Sequence, residues 1–214
     1  MARTVSDLHG NAPDTSPVAL LLVDTINDLE FDDGARLLRA ALPMAKRIAA
    51  LKKRAERAGV PTIYVNDNFG RWRSDFRRLV AHCLGENVRG RPIAERLVPD
   101  ETDYFVLKPK HSGFYNTTLD LLLHHLQAET LIITGMATDV CVLFTAADAY
   151  MRDYRLIVPR DCVAAPSPAL HRAALQQMRH VLKADVVTST ALDLARLTRR
   201  RRSTGKRQST SLRR

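Results

Sequence analysis

The chain has 214 residues, 45% of them hydrophobic, and carries a net charge of +10 at pH 7. This apolar content excludes an intrinsically disordered protein, and the length predicts one domain with a complete core. No apolar run reaches the ~18 residues of a membrane span, so we expect no membrane partner. Three widely spaced cysteines and a polar beginning without an apolar signal core favour a cytoplasmic location.

The positive charge is concentrated near the end of the chain. Eight arginines and lysines lie within residues 199–214, which contain no acidic side chain, and this leaves +2 for the rest. Residues 198–214 are rich in Ser, Thr and Arg and are predicted to form a basic, disordered tail. Such a tail can bind phosphate backbones non-specifically, which makes a nucleic-acid-associated protein one alternative. A solvated terminus without a dedicated partner is the favoured interpretation.

Apolar runs alternate with helical patterns along the rest of the chain. Strands are predicted at residues 18–23, 60–65, 104–107, 130–134, 155–158 and 184–187. Helices are predicted at residues 35–58, 76–84, 119–126, 143–150, 168–182 and 190–197, with Pro43 as a point where the first could divide. This alternation predicts an α/β chain, a three-layer α/β/α doubly wound fold with a six-stranded, mainly parallel sheet. We expect the domain to span residues 17–197, after a polar extension at residues 1–16.

Three chemically useful side chains follow predicted strands. Asp24 ends the first strand, Lys108 ends the third, and Cys141 lies near the start of the helix after the fourth, with Thr138 as a plausible N-cap. The carboxyl ends of parallel strands share one edge, so we expect the three to meet in one cleft. A helix N-terminus and a nearby ammonium group favour the thiolate form of Cys141. Each residue alone has a bland explanation, namely a buried cysteine, a turn aspartate and a solvated lysine.

Three segments, in the same order, resemble the isochorismatase-like cysteine hydrolases, a superfamily that includes nicotinamidases and N-carbamoyl amidohydrolases. The segments are residues 21–28 (LLVDTIND), 108–114 (KPKHSGF) and 134–141 (TGMATDVC), and the resemblance extends over residues 18–197. It implies that Asp24 is the general base, Lys108 the cation that stabilises the thiolate, and Cys141 the nucleophile. It also implies an oligomer, a dimer or a tetramer.

The resemblance further implies a cis peptide bond between Met136 and Ala137. In that arrangement the backbone N–H groups of Ala137 and Cys141 point at one spot, where they form an oxyanion hole. The implied reaction is the hydrolysis of a small amide or a related C–N bond through a thioester on Cys141. A non-catalytic binding or scaffold protein on the same fold is the other alternative.

Residues that depart from the family pattern bear on whether the chain binds a metal and on which substrate it uses. Nicotinamidases carry an Asp-x-His metal motif after the second strand; here Asp67 matches the acidic ligand, but Phe69 stands where the histidine is expected. We therefore expect no metal and no other cofactor, and nicotinamidase activity is disfavoured. The candidates for substrate contact at the same edge are Phe31, Asn68, Phe69, Trp72, Ser112 and Phe114, with Tyr115 and His111 as further candidates. The alternative for the aromatic residues is simple loop packing.

Overall fold

The computed structural model of the chain describes residues 15–70 and 75–199. The predictions made for residues 1–14, for Trp72 and for residues 200–214 lie outside these ranges. Within the described residues, no helix combines the length and the hydrophobicity that a membrane crossing requires.

The described ranges contain seven strands and seven helices. The strands are β1 Val18–Val23, β2 Thr62–Asp67, β3 Tyr104–Lys108, β4 Thr130–Met136, β5 Arg155–Pro159, β6 Val163–Ala164 and β7 Asp185–Val187. The helices are α1 Gly34–Arg57, α2 Phe76–Cys83, α3 Arg91–Ala94, α4 Leu119–His125, α5 Leu143–Tyr150, α6 Pro168–His180 and α7 Leu194–Thr198. A π-helical turn, Thr138–Val142, leads directly into α5, and a 3-10 turn, Ser189–Ala191, precedes α7.

The strands form one parallel sheet in the order β3-β2-β1-β4-β5-β7, with the short β6 paired to β4. β1 lies in the middle because all six of its residues are apolar and buried, as expected for a strand covered on both faces. After β3 the chain returns to the other side of β1 to form β4. The strand order therefore reverses between β1 and β4, and open α/β sheets bind ligands at such a point, outside the carboxyl ends of the strands.

Helices cover both faces of the sheet, as the alternating side chains of β1 illustrate. Leu20 and Leu22 belong to a core shared with α1, α2, α3 and α7, whereas Leu21 and Val23 belong to a second core shared with α4, α5 and α6. The three-layer α/β/α architecture predicted from the sequence is confirmed.

The structure differs from the sequence-based prediction at several points; for example, residues 190–197 do not form one helix, because a 3-10 turn, Ser189–Ala191, precedes α7. The sheet has seven strands instead of six, because β6 is too short to produce a recognisable pattern. β2 begins at Thr62, whereas it was predicted to begin at Val60. The N–H of Val60 donates to Ala55 O and closes the end of α1. The short α3 lies where a polar loop was expected to continue, and α1 continues through Pro43 without dividing.

Candidate active site

Four polar side chains meet at the carboxyl ends of neighbouring strands. Asp24 follows β1, Asp67 ends β2, Lys108 ends β3, and Cys141 lies in the π-helical turn after β4. The approach of β4 to β1 needs a glycine. A Cβ atom at Gly135 would lie 2.0 Å from the carbonyl oxygen of Val23, and the φ angle there is +112°.

Lys108 lies at the centre of this group. Its side chain is fully buried, and Nζ lies 2.9 Å from Asp24 Oδ2 and 3.5 Å from Asp67 Oδ2. Nζ also donates to Cys141 Sγ at 3.5 Å and to the carbonyl oxygen of Lys110 at 3.2 Å. One ammonium group therefore contacts the carboxylate and the thiol that the family resemblance assigns as base and nucleophile.

The backbone holds the carboxylate of Asp24 in place. The N–H of Asp67 donates to Asp24 Oδ1 at 2.7 Å, and the N–H of Asp24 donates to Val65 O at 2.9 Å. Asp24 has a positive φ of 49°, which turns the chain out of β1 at this residue. A side chain that is only 7% exposed is thus tied both to β2 and to Lys108.

Burial and the neighbouring charges set the protonation of the three groups. Burial raises the pKa of Asp24, although the charge of Lys108 opposes it. Burial lowers the pKa of Lys108, but the charges of Asp24 and Cys141 outweigh it and the net shift is upward. Burial, and then the Asp24 carboxylate, raise the pKa of the Cys141 thiol against the effect of Lys108. Burial and the neighbouring carboxylate therefore act against the thiolate form that the helix start and Lys108 favour.

The turn that carries Cys141 also differs from the expected helix start. Ala137 precedes the first residue of the turn, and Thr138 lies inside it without capping it. The Thr138 side chain is fully buried, and its Oγ1 lies 2.9 Å from Nδ1 of His171 on α6. The peptide bond between Met136 and Ala137 is cis.

Two of the predicted substrate-contact residues follow β2. Asn68 is buried, its N–H donates to Lys108 O, and its Oδ1 accepts the N–H of Gly70. Phe69 is 43% exposed and has a positive φ of 52°, so its ring is available for contact. Trp72 lies outside the described residues.

The other candidates divide into exposed and packed side chains. Phe31 and Tyr115 are exposed, and His111 is exposed with its ring 5.5 Å from that of Phe144. Ser112 bonds to Asp148 and to the N–H of Phe114. Phe114 is buried, and Arg152 lies over its ring. These contacts of Ser112 and Phe114 stabilise the loop, and a role in substrate binding stays a prediction for every candidate.

The residues at the position of the nicotinamidase metal motif do not fit a metal site. Asp67 pairs with Lys108 and accepts the N–H of Phe69 at 2.6 Å, so both of its oxygens have partners. The Phe69 side chain has no ligand atom. In the part of the chain that the structure describes, no group of three or more His, Cys, Asp or Glu side chains is arranged to hold a metal ion.

Comparison with known proteins identifies the family. Residues 18–191 match the isochorismatase domain, which is most of the chain. The chain belongs to the isochorismatase family. The family assignment made from three sequence segments is thereby confirmed.

Several relatives resemble this isochorismatase-family chain. It is 44% identical over 170 residues to the uncharacterized isochorismatase family protein YaaI of Bacillus subtilis, covering 79% of this chain and 93% of that protein. It is similar to N-carbamoylsarcosine amidase from Thermoplasma acidophilum, at 28% identity and a TM-score of 0.62 over 82% of this chain and 98% of that one. It is also 42% identical over 87 residues to the ureidoacrylate amidohydrolase RutB of Methylorubrum extorquens, which covers 40% of this chain and 35% of RutB.

Two site residues of this family member were missed by reasoning from sequence. Asp67 was considered only as a metal ligand, although its place at the end of a strand between those of Asp24 and Lys108 was a usable signal. His171 gave no signal, because its partner Thr138 is 33 residues away and the contact depends on how α6 packs.

Proposed function

We propose that this chain hydrolyses a C–N bond of a small amide, ureide or carbamoyl compound through a thioester on Cys141. The observation that carries the proposal is the position of Lys108, whose buried Nζ contacts Asp24 at 2.9 Å and Cys141 at 3.5 Å. A buried ammonium that bridges a carboxylate and a thiol can compensate negative charge on either one. Proton transfer between those two groups then needs no solvent reorganisation.

The first half-reaction begins with a neutral thiol. Asp24 takes the proton of Cys141 as Sγ attacks the substrate carbonyl carbon, and the π electrons of the C=O bond move to oxygen. The resulting oxyanion is held by the backbone N–H groups of Ala137 and Cys141. When the tetrahedral intermediate collapses, the C–N bond breaks and protonated Asp24 gives its proton to the leaving nitrogen. Ammonia or an amine departs, and a thioester remains.

The second half-reaction uses the same groups with water. Asp24 removes a proton from water as its oxygen attacks the thioester carbonyl, and the same two N–H groups hold the new oxyanion. Collapse breaks the C–S bond, and the Cys141 sulfur leaves with its negative charge facing Lys108. Asp24 then returns its proton to the sulfur, which restores the free site and releases a carboxylic or carbamic acid.

The substrate class is suggested by two of the relatives. The name N-carbamoylsarcosine amidase and the name ureidoacrylate amidohydrolase each describe a protein acting on a carbonyl bonded to nitrogen. The match to RutB covers only 40% of this chain. It therefore supports the type of bond that is hydrolysed more than it supports a particular substrate. The exposed rings of Phe31 and Phe69 would contact the apolar part of such a molecule.

A panel of small amides, ureides and N-carbamoyl compounds tests the proposal, with ammonia release as the readout. The native chain should hydrolyse at least one of these compounds. The Cys141→Ala variant should hydrolyse none of them. A thioester should accumulate on Cys141 when the reaction is quenched early, and mass spectrometry of peptides would locate it. Turnover that survives in Cys141→Ala would refute the covalent mechanism.

A further inference from the structure

A side-chain hydrogen bond joins the turn that carries Cys141 to a separate helix. Thr138 Oγ1 lies 2.9 Å from His171 Nδ1, and the threonine side chain is fully buried. Thr138 and Cys141 both belong to the π-helical turn, whereas His171 belongs to the first turn of α6. The contact therefore connects the backbone around the sulfur to an element outside the group formed by Asp24, Lys108 and Cys141.

The helix end that carries His171 is itself well fixed. The Ser167 side chain caps α6 by accepting the N–H of Leu170, and the N–H of His171 donates to Ser167 O at 2.9 Å. Pro168 occupies the first helical position, where its fixed φ angle suits a helix. His171 is half-buried and therefore stands on a rigid support.

The π-helical turn that carries Cys141, in contrast, depends on contacts with a rigid element such as the start of α6. The N–H groups of Val140 and Val142 both donate to Ala137 O, at 3.1 Å each, so two donors share one acceptor. Single π-helical turns of this kind are rare and frequent at functional sites. The neighbouring Asp139 does not anchor the turn through Oδ1, since that buried atom has no hydrogen-bond partner among the described residues.

We propose that His171 is a positioning residue, which through Thr138 holds the π-helical turn so that Cys141 Sγ stays within reach of Lys108 and Asp24. This inference rests on the proposed function, because it assigns His171 a part in the same reaction. His171 acts through Thr138 and not on the substrate. Removal of the bond lets the turn relax and moves the sulfur away from the ammonium and the carboxylate.

The expected effect falls on kcat. A displacement of about 1 Å in a reacting group can cost up to about 100-fold in rate, so His171→Leu and Thr138→Val should each lower kcat by about 10- to 100-fold. KM should stay within about twofold. Since both substitutions break the same bond, the double variant should be no slower than the slower single variant, which is the non-additivity of residues that act as a unit.

Two conservative variants separate positioning from bulk stability. His171→Asn keeps a polar group near the position of Nδ1, and Thr138→Ser keeps the hydroxyl, so both should recover most of the lost kcat. His180→Leu is the matched control, because His180 is an exposed histidine at the other end of the same helix. It should leave kcat unchanged.

The pH profile of Cys141 alkylation by iodoacetamide provides a readout that does not need a substrate. In the native chain the buried site raises the pKa of Cys141, whereas a displaced sulfur should titrate closer to the ordinary thiol value of about 8.5. His171→Leu should therefore move the profile to lower pH, and His171→Asn should move it back. Additive effects in the double variant, or an unchanged profile in variants whose Tm has fallen, would overturn the proposal. If the native chain hydrolysed no compound of the panel, the proposed function would fail and the alkylation profile would still test His171.

Discussion

The ammonium of Lys108 and the carboxylate of Asp24 lie 2.9 Å apart, with their side chains 0% and 7% exposed. Neither charge is stable alone at such a depth, because burial disfavours the charged form of both groups. Asp67 places a second carboxylate 3.5 Å from the same nitrogen. Lys108 thus contacts both aspartates and the thiol, and its ammonium is the one positive charge that faces all three groups.

Replacement of Lys108 should therefore damage both stability and catalysis. Lys108→Met leaves the buried carboxylate of Asp24 and the partly exposed one of Asp67 without their cation, and breaking a buried ion pair costs about 3–5 kcal/mol. We expect a loss of that size in urea unfolding and a fall in kcat/KM of about 100- to 1,000-fold. Lys110→Met is the control, since the Lys110 side chain is exposed and contributes only its carbonyl oxygen. Equal effects of the two substitutions would contradict the role of Lys108.

Replacement of Asp24 should lower kcat far more than replacement of Asp67. Asp24→Asn removes the only group proposed to accept the thiol proton, so kcat should fall by about 100- to 10,000-fold. Asp67→Asn keeps the backbone N–H that donates to residue 24, and kcat should fall less than about 10-fold. Steady-state kinetics on one substrate of the panel gives both values. A loss in Asp67→Asn as large as that in Asp24→Asn would mean that the base has been misassigned.

Cys141 should be the first thiol to react with limiting iodoacetamide. Cys83 and Cys162 are fully buried, and burial raises the pKa of each to about 12, with Asp28 and Asp161 acting in the same direction. Cys141 is partly exposed. Because its own pKa is raised, its alkylation rate should still be climbing with pH beyond about 10, where a free thiol of pKa about 8.5 has levelled off. Peptide mapping after partial labelling checks the order, and early labelling of Cys83 or Cys162 would refute it.

The strand ends were predictable because they depend on local patterns. Short apolar runs indicated where β1, β3 and β4 lie, and parallel pairing then required Asp24, Lys108 and Cys141 to lie at one edge. The protonation of the site was not predictable, since it depends on burial and on the 3.5 Å contact between Lys108 and the sulfur. A helix-start argument favoured a thiolate, whereas burial and Asp24 act in the opposite direction on the pKa of Cys141.

Contacts between distant segments were equally hidden. Nothing near Thr138 in the sequence indicates His171, and β6 became a strand only because Val163 lies beside Gly135 in β4. Pro43 suggested a break in α1, but the buried face continues on both sides of it, through Ala41 and Met44. Tertiary packing decided each of these features, and a single sequence does not record it.

The purified chain should bind no stoichiometric transition metal. Phe69 replaces the histidine of the nicotinamidase motif, and both oxygens of Asp67 already have partners. Elemental analysis should find well under one zinc or iron per chain, and chelators should leave kcat/KM unchanged. Phe69→His, which restores the missing ligand type, is the informative comparison. One equivalent of metal in the native chain would show that other residues supply the ligands.

The pH dependence of the free energy of unfolding should show the effect of partial burial on His171. Burial lowers the pKa of His171 from its ordinary value of 6.5; Arg172 acts in the same direction, and Asp139 opposes them. Below about pH 6.5 the unfolded chain therefore binds more protons at this residue than the folded chain, so acidification through that window favours unfolding. Above about pH 6.5, His171 adds nothing to the pH dependence of the free energy of unfolding.

His171→Asn removes this titration and leaves the other six histidines in place. The free energy of unfolding, measured in urea between about pH 5 and 7.5, should fall less steeply on acidification in the variant than in the native chain. His180→Asn is the matched comparison, because His180 is an exposed histidine at the other end of α6. A native chain that became relatively more stable than His171→Asn as the pH fell would mean that Asp139 outweighs burial, and that the imidazole facing Thr138 is charged.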